Sequence, residues 1–394
     1  MKKLLIVIYL VSFGLSIYGN DIQTRDNDSL RVNNLYKYLE KAAKPADEYI
    51  LGKLKDYSIV SIGEDHWNHQ HPEFFCEIIE KASLNDETRP DIIAIEFGNE
   101  IDQRTVNYVI NSDTFVPDSV YRILQHAPDI YGNPYKEYFD IYKTVWQINQ
   151  TLPKEKRIQI RLLDPAGIQD HFSKIVSNRN KDRDQSMFEK LRWDIINGKK
   201  VLFYGGQAHT QKQIRGTKIN QKERYYNFPS AGYLIASAYP DDVFVIDLWS
   251  PLNMGKGYEI NPETDKWIEK SYGIFDDAFD INGNIPCGFD LSNSPWGEIN
   301  MMEYFGLPGK EDSWEINHEN SNPYRKDILL SEIIDGIVYV KPTEEFTGAT
   351  LIDIFTPDFI EECTKRSNGK LNSTEEILNF IKEQHPQLIL NNLY

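Results

Sequence analysis

Short runs of apolar residues recur along the chain and are separated by longer amphipathic stretches. The run 91–96 shows no alternation of apolar and polar positions, which is expected of a parallel strand buried on both faces. We predict six strands from these runs, over residues 57–62, 91–96, 157–163, 200–205, 243–248 and 334–342.

The stretches between these strands have helical periodicity. After the first strand, apolar residues fall on one stripe of a helix: Phe74, Phe75, Ile78, Ile79 and Ala82. Further helices are predicted over residues 35–54, 183–197, 229–239 and 374–383. Alternating strands and helices predict an α/β fold with a central, mostly parallel sheet flanked by helices.

Two segments interrupt this alternation. Residues 101–150 are rich in Tyr and Phe and are broken at Pro117, Pro128 and Pro134, which predicts a helical cap insertion of two or three helices. Residues 251–330 are rich in Gly, Pro, Asn and Trp with little periodicity, so we expect a long irregular excursion over the surface.

The predicted organisation follows from these segments. One α/β domain would span residues 57–345, with an N-terminal helical segment over 20–56 and a C-terminal helical segment over 346–394.

The first 19 residues have the pattern of a bacterial export signal. Lys2 and Lys3 precede an apolar stretch that is too short for a good membrane span, and cleavage is expected near Gly19 or Asn20. No cysteine lies near that point for lipidation, and no second segment is apolar enough to cross a membrane. We therefore expect a periplasmic or secreted protein without stable membrane insertion.

Charge and cysteine usage narrow the classes of partner. The formal net charge is −17 and becomes more negative once Lys2 and Lys3 are removed, which argues against nucleic acid or an anionic membrane surface. Cationic ligands and metals stay open. Cys76, Cys287 and Cys363 are odd in number and lack a Cys-x-x-Cys spacing, so they form neither a disulfide framework nor a thiolate metal site. A single bridge between two of them stays open for a protein in an oxidising compartment.

Reactive side chains follow four of the predicted strands. Two of them carry the same spacing, in Gly63-x-x-His66 and Gly206-x-x-His209. Because parallel strands present their carboxyl ends at one edge of a sheet, we expect a crevice there. Its two imidazoles and three carboxylates would come from Glu64, His66, Glu96, Asp164 and His209.

Such a crevice suits two chemistries. Imidazoles and carboxylates are ligands of Zn, Mn or Fe, so His66, His209 and Glu96 could hold a divalent metal that lowers the pKa of a bound water. Without a metal, His66 flanked by Glu64 could act as general base on water. Each residue also has a purely structural alternative. His66 would be a hydrogen-bonded loop residue, and Glu96 would form a buried salt bridge.

Three further residues are candidates for supporting roles. Asp184 falls within the apolar stripe of its predicted helix, so it either pairs with Arg183 or orients a catalytic histidine. His71 begins the helix after the first strand and would face the crevice.

Several common catalytic motifs are absent. The chain has no Gly-x-Ser-x-Gly, His-Glu-x-x-His, Walker or Gly-x-Gly-x-x-Gly sequence. The sequence therefore lacks the motifs that usually identify a serine esterase, a zincin protease, a nucleotidase or a dehydrogenase.

The order of the motifs resembles the superfamily that joins the erythromycin esterases, the ChaN haem-binding proteins and the Tiki metalloproteases. The resemblance covers about residues 57–250, and the segment 335–341 resembles the final strand of that superfamily. The motifs are Ile-Gly-Glu-x-His66 with His71, Ala-Ile-Glu96, Leu-Asp164, Arg183-Asp-x-x-Met187 and Gly-Gly-x-x-His209.

The resemblance implies an α/β fold with its site at the strand ends. The esterase branch activates water with a histidine and glutamates, whereas the Tiki branch holds a divalent metal with its two Gly-x-x-His motifs. The loop Gly63-Glu-Asp-His66 is one residue shorter than in the esterases and closer to the ChaN form, so macrolide hydrolysis is not implied.

Two functional hypotheses follow. The first is an exported hydrolase of ester or amide bonds in a small molecule or peptide, in which His66 and Glu64 activate water and His209 and Glu96 complete the site. The second is a haem- or iron-binding uptake protein without catalytic activity. A third interpretation keeps the fold and gives the histidines structural roles.

Overall fold

The computed structural model describes residues 28–127, 132–165, 176–219, 224–253, 267–305, 328–385 and 387–390. The predicted export signal, residues 1–19, lies outside the described residues. Across the described ranges, no helix has the length and apolar character needed to cross a membrane. Cys76, Cys287 and Cys363 are free thiols.

The described residues form a central sheet of eight strands and three two-stranded pairs around it. The strands are β1 (Lys44–Pro45), β2 (Ile59–Glu64), β3 (Ile92–Asn99), β4 (Gln159–Asp164), β5 (Val201–Gly206), β6 (Ile214–Ile219), β7 (Arg224–Pro229), β8 (Val243–Leu248), β9 (Leu252–Asn253), β10 (Trp267–Ile268), β11 (Cys287–Asp290), β12 (Gly336–Tyr339), β13 (Thr350–Leu351) and β14 (Ile389–Leu390). The strand order in the central sheet is β1-β11-β12-β8-β2-β5-β3-β4. The six strands from β12 to β4 are parallel, and β11 is antiparallel to both neighbours.

The six predicted strands correspond to the six parallel strands, so the predicted α/β class is confirmed. Five of these strands, β2, β3, β5, β8 and β12, are buried along their whole length, and because successive side chains point in opposite directions they are buried on both faces of the sheet. The sheet separates two apolar cores. On β3, Ile93 and Ile95 pack in the first core, on one face of the sheet, while Ile92 and Ala94 pack in the second core, on the other face. A fully buried isoleucine contributes about 2 kcal/mol, which explains why these strands carry almost unbroken apolar runs.

Helices cover both faces of the sheet. They are α1 (28–42), α2 (Ala46–Asp56), α3 (Gln70–Ser83), α4 (Gln103–Val109), α5 (Pro117–Gln125), α6 (Lys136–Thr151), α7 (Val176–Ile196), α8 (Gln207–Thr210), α9 (Ala231–Ala238), α10 (Ile274–Ile281), α11 (Met301–Phe305), α12 (Leu330–Ile333), α13 (Pro357–Arg366) and α14 (Thr374–Gln384). The predicted helix 35–54 is in fact two helices. Pro45 lacks the N–H that a continuous helix needs, and the chain instead forms strand β1 there.

In the described part of the predicted cap, residues 101–127 and 132–150, the helices α4, α5 and α6 are present. Pro117 begins α5, as expected of a proline in the first turn. Within the predicted excursion, the described residues 267–305 contain α10 and strand β11, which lies between β1 and β12. Phe275 and Phe279 of α10 contact Trp296 in the second core. This aromatic packing orders a segment whose sequence has little periodicity.

Strand β3 does not end at Glu96, as the pattern predicts, but runs on to Asn99. Its pairing with β4 shifts register between Ile95 and Asn99. Glu96 therefore lies at an irregularity near the carboxyl edge of the sheet.

Candidate active site

The carboxyl ends of β2, β5, β3 and β4 lie side by side in the sheet. Register aligns Gly63 with Gly205 and Glu64 with Gly206, so both Gly-x-x-His motifs leave the sheet at nearly the same level. Seven predicted site residues are joined there in one network of hydrogen bonds and ion pairs: Glu64, His66, Glu96, Asp164, Arg183, Asp184 and His209.

Glu64 is fully buried at the end of β2 and is surrounded by donors. Its Oε1 lies 2.7 Å from Nδ1 of His66 and accepts a hydrogen bond from the Tyr138 hydroxyl at 2.5 Å. The Tyr204 hydroxyl donates to Oε2. The His66 side chain remains 34% exposed, so a fixed and buried carboxylate orients an imidazole that solvent can reach.

Glu96 lies between the two histidines. Its Oε1 accepts a hydrogen bond from the Gly206 N–H at 2.6 Å and lies 3.3 Å from Nε2 of His66. Its Oε2 lies 3.6 Å from Nε2 of His209. A Cβ on Gly206 would be only 2.6 Å from His66 Nε2, so glycine is needed at this position for the close approach.

Arg183 reaches three of these groups. Its Nε donates to Oδ1 of Asp164 at 2.5 Å and its Nη2 donates to Oε2 of Glu96 at 3.2 Å. Its Nη1 lies 2.9 Å from Nε2 of His209. Because a guanidinium can only donate, that imidazole nitrogen accepts, and the His209 proton is on Nδ1.

Asp184 accepts that proton, since its Oδ1 lies 2.8 Å from Nδ1 of His209. It also accepts a hydrogen bond from the Ala231 N–H and is completely buried. The sequence leaves two roles open for Asp184, pairing with Arg183 or orienting a histidine. The hydrogen bonds of Asp184 match the second role.

The network sets the charges of the central pair. Burial lowers the pKa of His66, but the hydrogen bond to Glu64 and the charges of Glu96 and Glu64 raise it further, to about 9. Burial raises the pKa of Glu96, yet the positive charges around it, including those of Arg183 and His66, lower it to about 2. At neutral pH, His66 is mostly an imidazolium beside an ionised Glu96.

His71 is separate from this network. Its ring is completely buried, with Nδ1 accepting from the Asp65 N–H at 3.3 Å and Nε2 3.1 Å from the Trp249 carbonyl oxygen. Burial lowers the pKa of His71 to about 3, so its imidazole is neutral. These contacts fix the backbone of the loop after β2.

Sequence reasoning missed the two tyrosines that bind Glu64. Tyr204 lies two residues before Gly206 on the same strand, and this period of two could have indicated its side. Tyr138 lies on α6 in the cap and has no comparable signal, because its contact with Glu64 joins residues 74 positions apart.

The donor set does not fit a divalent metal. In the ranges that the structure describes, no group of three or more His, Cys, Asp or Glu residues is arranged to hold a metal ion. The guanidinium of Arg183 already supplies positive charge between Glu96 and His209, two of the three candidate ligands. Haem iron fits no better, because both ring nitrogens of His66 and of His209 face protein partners.

No protein-family model matches the chain, and no curated protein matches it significantly. Solved structures do match. A succinoglycan biosynthesis protein is 11% identical with a TM-score of 0.52, over 80% of this chain and 98% of that chain. This similarity shows a shared α/β fold.

Other similar structures include members of two branches named above. A mutant of the erythromycin esterase EreC in its open conformation is 11% identical with a TM-score of 0.48, over 75% of this chain and 93% of that chain. ChaN of Campylobacter jejuni, with cofacial haem binding, is 13% identical with a TM-score of 0.34, over 56% of this chain and 90% of that chain. The α/β fold that the predicted resemblance implies is confirmed by the strand order and by the match to the succinoglycan biosynthesis protein.

Proposed function

We propose that the protein is an exported hydrolase that cleaves an ester or amide bond in a small molecule or peptide. One observation carries the proposal. The buried carboxylate of Glu64 holds Nδ1 of His66 at 2.7 Å, while 34% of the His66 side chain is exposed, against 8% for His209. A reachable imidazole oriented by a buried carboxylate is the arrangement of a general base.

In this mechanism, Nε2 of neutral His66 removes a proton from water, and the resulting hydroxide adds to the substrate carbonyl carbon. The tetrahedral intermediate then collapses as its carbon–oxygen or carbon–nitrogen bond to the leaving group breaks. The imidazolium gives its proton to that group, while Glu64 stabilises the positive charge until then. General base catalysis of this kind contributes about 100- to 10,000-fold to the rate.

Glu96 completes the site from the Nε2 side of the ring. Its ionised carboxylate can accept the second hydrogen of a water bound beside His66, which places that water for attack. Arg183 keeps Glu96 ionised, and His209 with Asp184 orients Arg183. Removing any of these residues should disturb the reaction through Glu96.

The proposed reaction uses no divalent metal, because Arg183 already bonds to Glu96 and His209. Haem binding is the weaker hypothesis for a related reason. Iron would need one of the two imidazoles to break a hydrogen bond or ion pair with a buried carboxylate or with Arg183.

Chromogenic esters and a peptide anilide test the proposal. Wild-type protein should hydrolyse at least one of them, and His66→Ala should lose about 100-fold or more of that rate. Equal rates in wild type and variant would overturn the assignment. A Soret band on haem titration that is lost in His66→Ala or His209→Ala would favour the uptake protein instead.

Export is proposed from the pattern of residues 1–19. Cell fractionation followed by N-terminal sequencing of the mature protein tests it, and the expected terminus is near Asn20. A full-length chain in the cytoplasm would contradict it.

A further inference from the structure

The loop that carries His66 is bonded to a distant part of the chain. The Ala349 N–H donates to the Trp67 carbonyl at 2.8 Å, and the His69 N–H donates to the Thr347 carbonyl at 3.0 Å. Asn68 and Gly348 form an antiparallel bridge between these two bonds. Three consecutive loop residues are therefore fixed to residues 347–349.

A second layer covers residues 347–349. The Ile389 N–H donates to the Ala349 carbonyl at 3.0 Å, and β13 pairs with β14. A Cβ on Gly348 would lie 1.8 Å from the Gln387 carbonyl oxygen, so the two segments are in direct backbone contact. We call residues 347–349, 385 and 387–389 the clamp segment.

Trp67 is the point where the clamp segment meets the site. Its φ of +67° is in the left-handed region, which is uncommon for a bulky residue and is found at functional sites where the surroundings enforce it. Its ring stacks on His385 with centroids 3.9 Å apart, and its ring centroid is 5.5 Å from that of His66. The indole thus lies in contact with both imidazoles.

We propose that Trp67 is a positioning residue through which the clamp segment sets the orientation of His66. The inference rests on the proposed function, because its consequence is that His66 meets water in the correct geometry. Trp67 directly follows His66 and has a left-handed backbone conformation. Loss of the ring contacts of Trp67 would therefore let the imidazole of His66 move away from Glu96. Small misplacements of a general base cost large factors in rate.

Four variants test the inference with p-nitrophenyl acetate as the probe. Trp67→Ala and His385→Ala should lower kcat by about tenfold or more with little change in KM, because positioning affects chemistry rather than binding. Trp67→Phe keeps an aromatic ring against His385 and should restore most of kcat. Trp193→Ala, which removes an exposed tryptophan elsewhere, is the matched control and should leave kcat unchanged.

Circular dichroism and thermal unfolding separate misfolding from misplacement. If Trp67→Ala and His385→Ala are folded and keep wild-type kcat, the inference is overturned. It is also overturned if Trp67→Phe loses as much kcat as Trp67→Ala, because an aromatic ring against His385 would then not keep His66 in position.

A second measurement does not need turnover. Diethyl pyrocarbonate modifies neutral, accessible imidazoles, and the difference between wild type and His66→Ala gives the modification rate of His66. Release of the loop should make this rate several-fold faster in Trp67→Ala and His385→Ala, but not in Trp193→Ala. If the wild type hydrolyses no ester, the proposed function fails, while an unchanged modification rate would separately overturn the positioning role.

Discussion

The Nε2 atom of His66 lies 3.3 Å from Oε1 of Glu96. On the other side of the ring, Glu64 holds Nδ1 at 2.7 Å. One imidazole therefore lies between two buried carboxylates, and this position favours its charged form. Water activation requires the neutral form of His66, so this geometry predicts that the rate of hydrolysis depends on pH.

The rate should rise with pH up to about 9, where the pKa of His66 lies. Below that value kcat/KM should increase about tenfold per pH unit, since only the neutral fraction acts as base. Glu64→Gln removes the negative charge that raises the pKa of His66, so its profile should turn at a lower pH. A pH–rate profile of both proteins checks this, and identical inflections would contradict it.

Arg183→Ala should destabilise the fold by about 3 kcal/mol, because it leaves the buried carboxylate of Asp164 without its ion pair and removes one of the cations beside Glu96. Urea denaturation measures the loss. Arg161→Ala is the matched control, because Arg161 forms a similar two-bond pair with the buried Asp194 outside the site. Both variants should lose stability, but only Arg183→Ala should also lose hydrolysis; equal effects on hydrolysis would refute the role given to Arg183.

Gly206→Ala should impair the site without unfolding the protein. The added methyl group would lie 2.6 Å from His66 Nε2, so the imidazole must move away from Glu96. We expect about a 100-fold fall in kcat/KM, the size associated with small misplacements of catalytic groups. Gly52→Ala serves as control, since nothing lies within 4 Å of its Cβ position, and wild-type rates in both variants would argue against the arrangement.

Chelation should leave the activity intact. Protein dialysed against a chelator should hydrolyse its substrate at the untreated rate, because Arg183 supplies positive charge next to Glu96 and His209. Elemental analysis of the purified protein should find Zn, Mn and Fe far below one ion per chain. Activity that is lost on chelation and restored by one of these metals would show that the guanidinium is displaced by an ion.

The parallel core of the fold was predictable from the sequence because its strands are buried on both faces. The run that forms β3 is almost entirely apolar, and its neighbour β5 has no charged residue. The edge strand β1 and its neighbour β11 were not predictable. Lys44–Pro45 is only two residues long, and Cys287–Asp290 lies in an irregular stretch, so their pairing depends on tertiary contacts.

The site residues at strand ends were predictable for a related reason. Parallel strands bring their carboxyl ends to one edge, so Glu64, Glu96 and Asp164 could be placed together without knowing any contact. Tyr138 and Trp67 could not. Tyr138 reaches the site from the cap, and Trp67 has its special backbone conformation because residues almost 300 positions later bind to it.

His66→Gln at pH 9, compared with His126→Gln, is the most direct test of the central claim. His126 is a matched control, because its Nδ1 also lies 2.7 Å from a carboxylate, that of Asp102, and its side chain is similarly exposed. The account predicts a loss of about 100-fold or more in hydrolysis for His66→Gln and no change for His126→Gln. Wild-type hydrolysis in His66→Gln would contradict it.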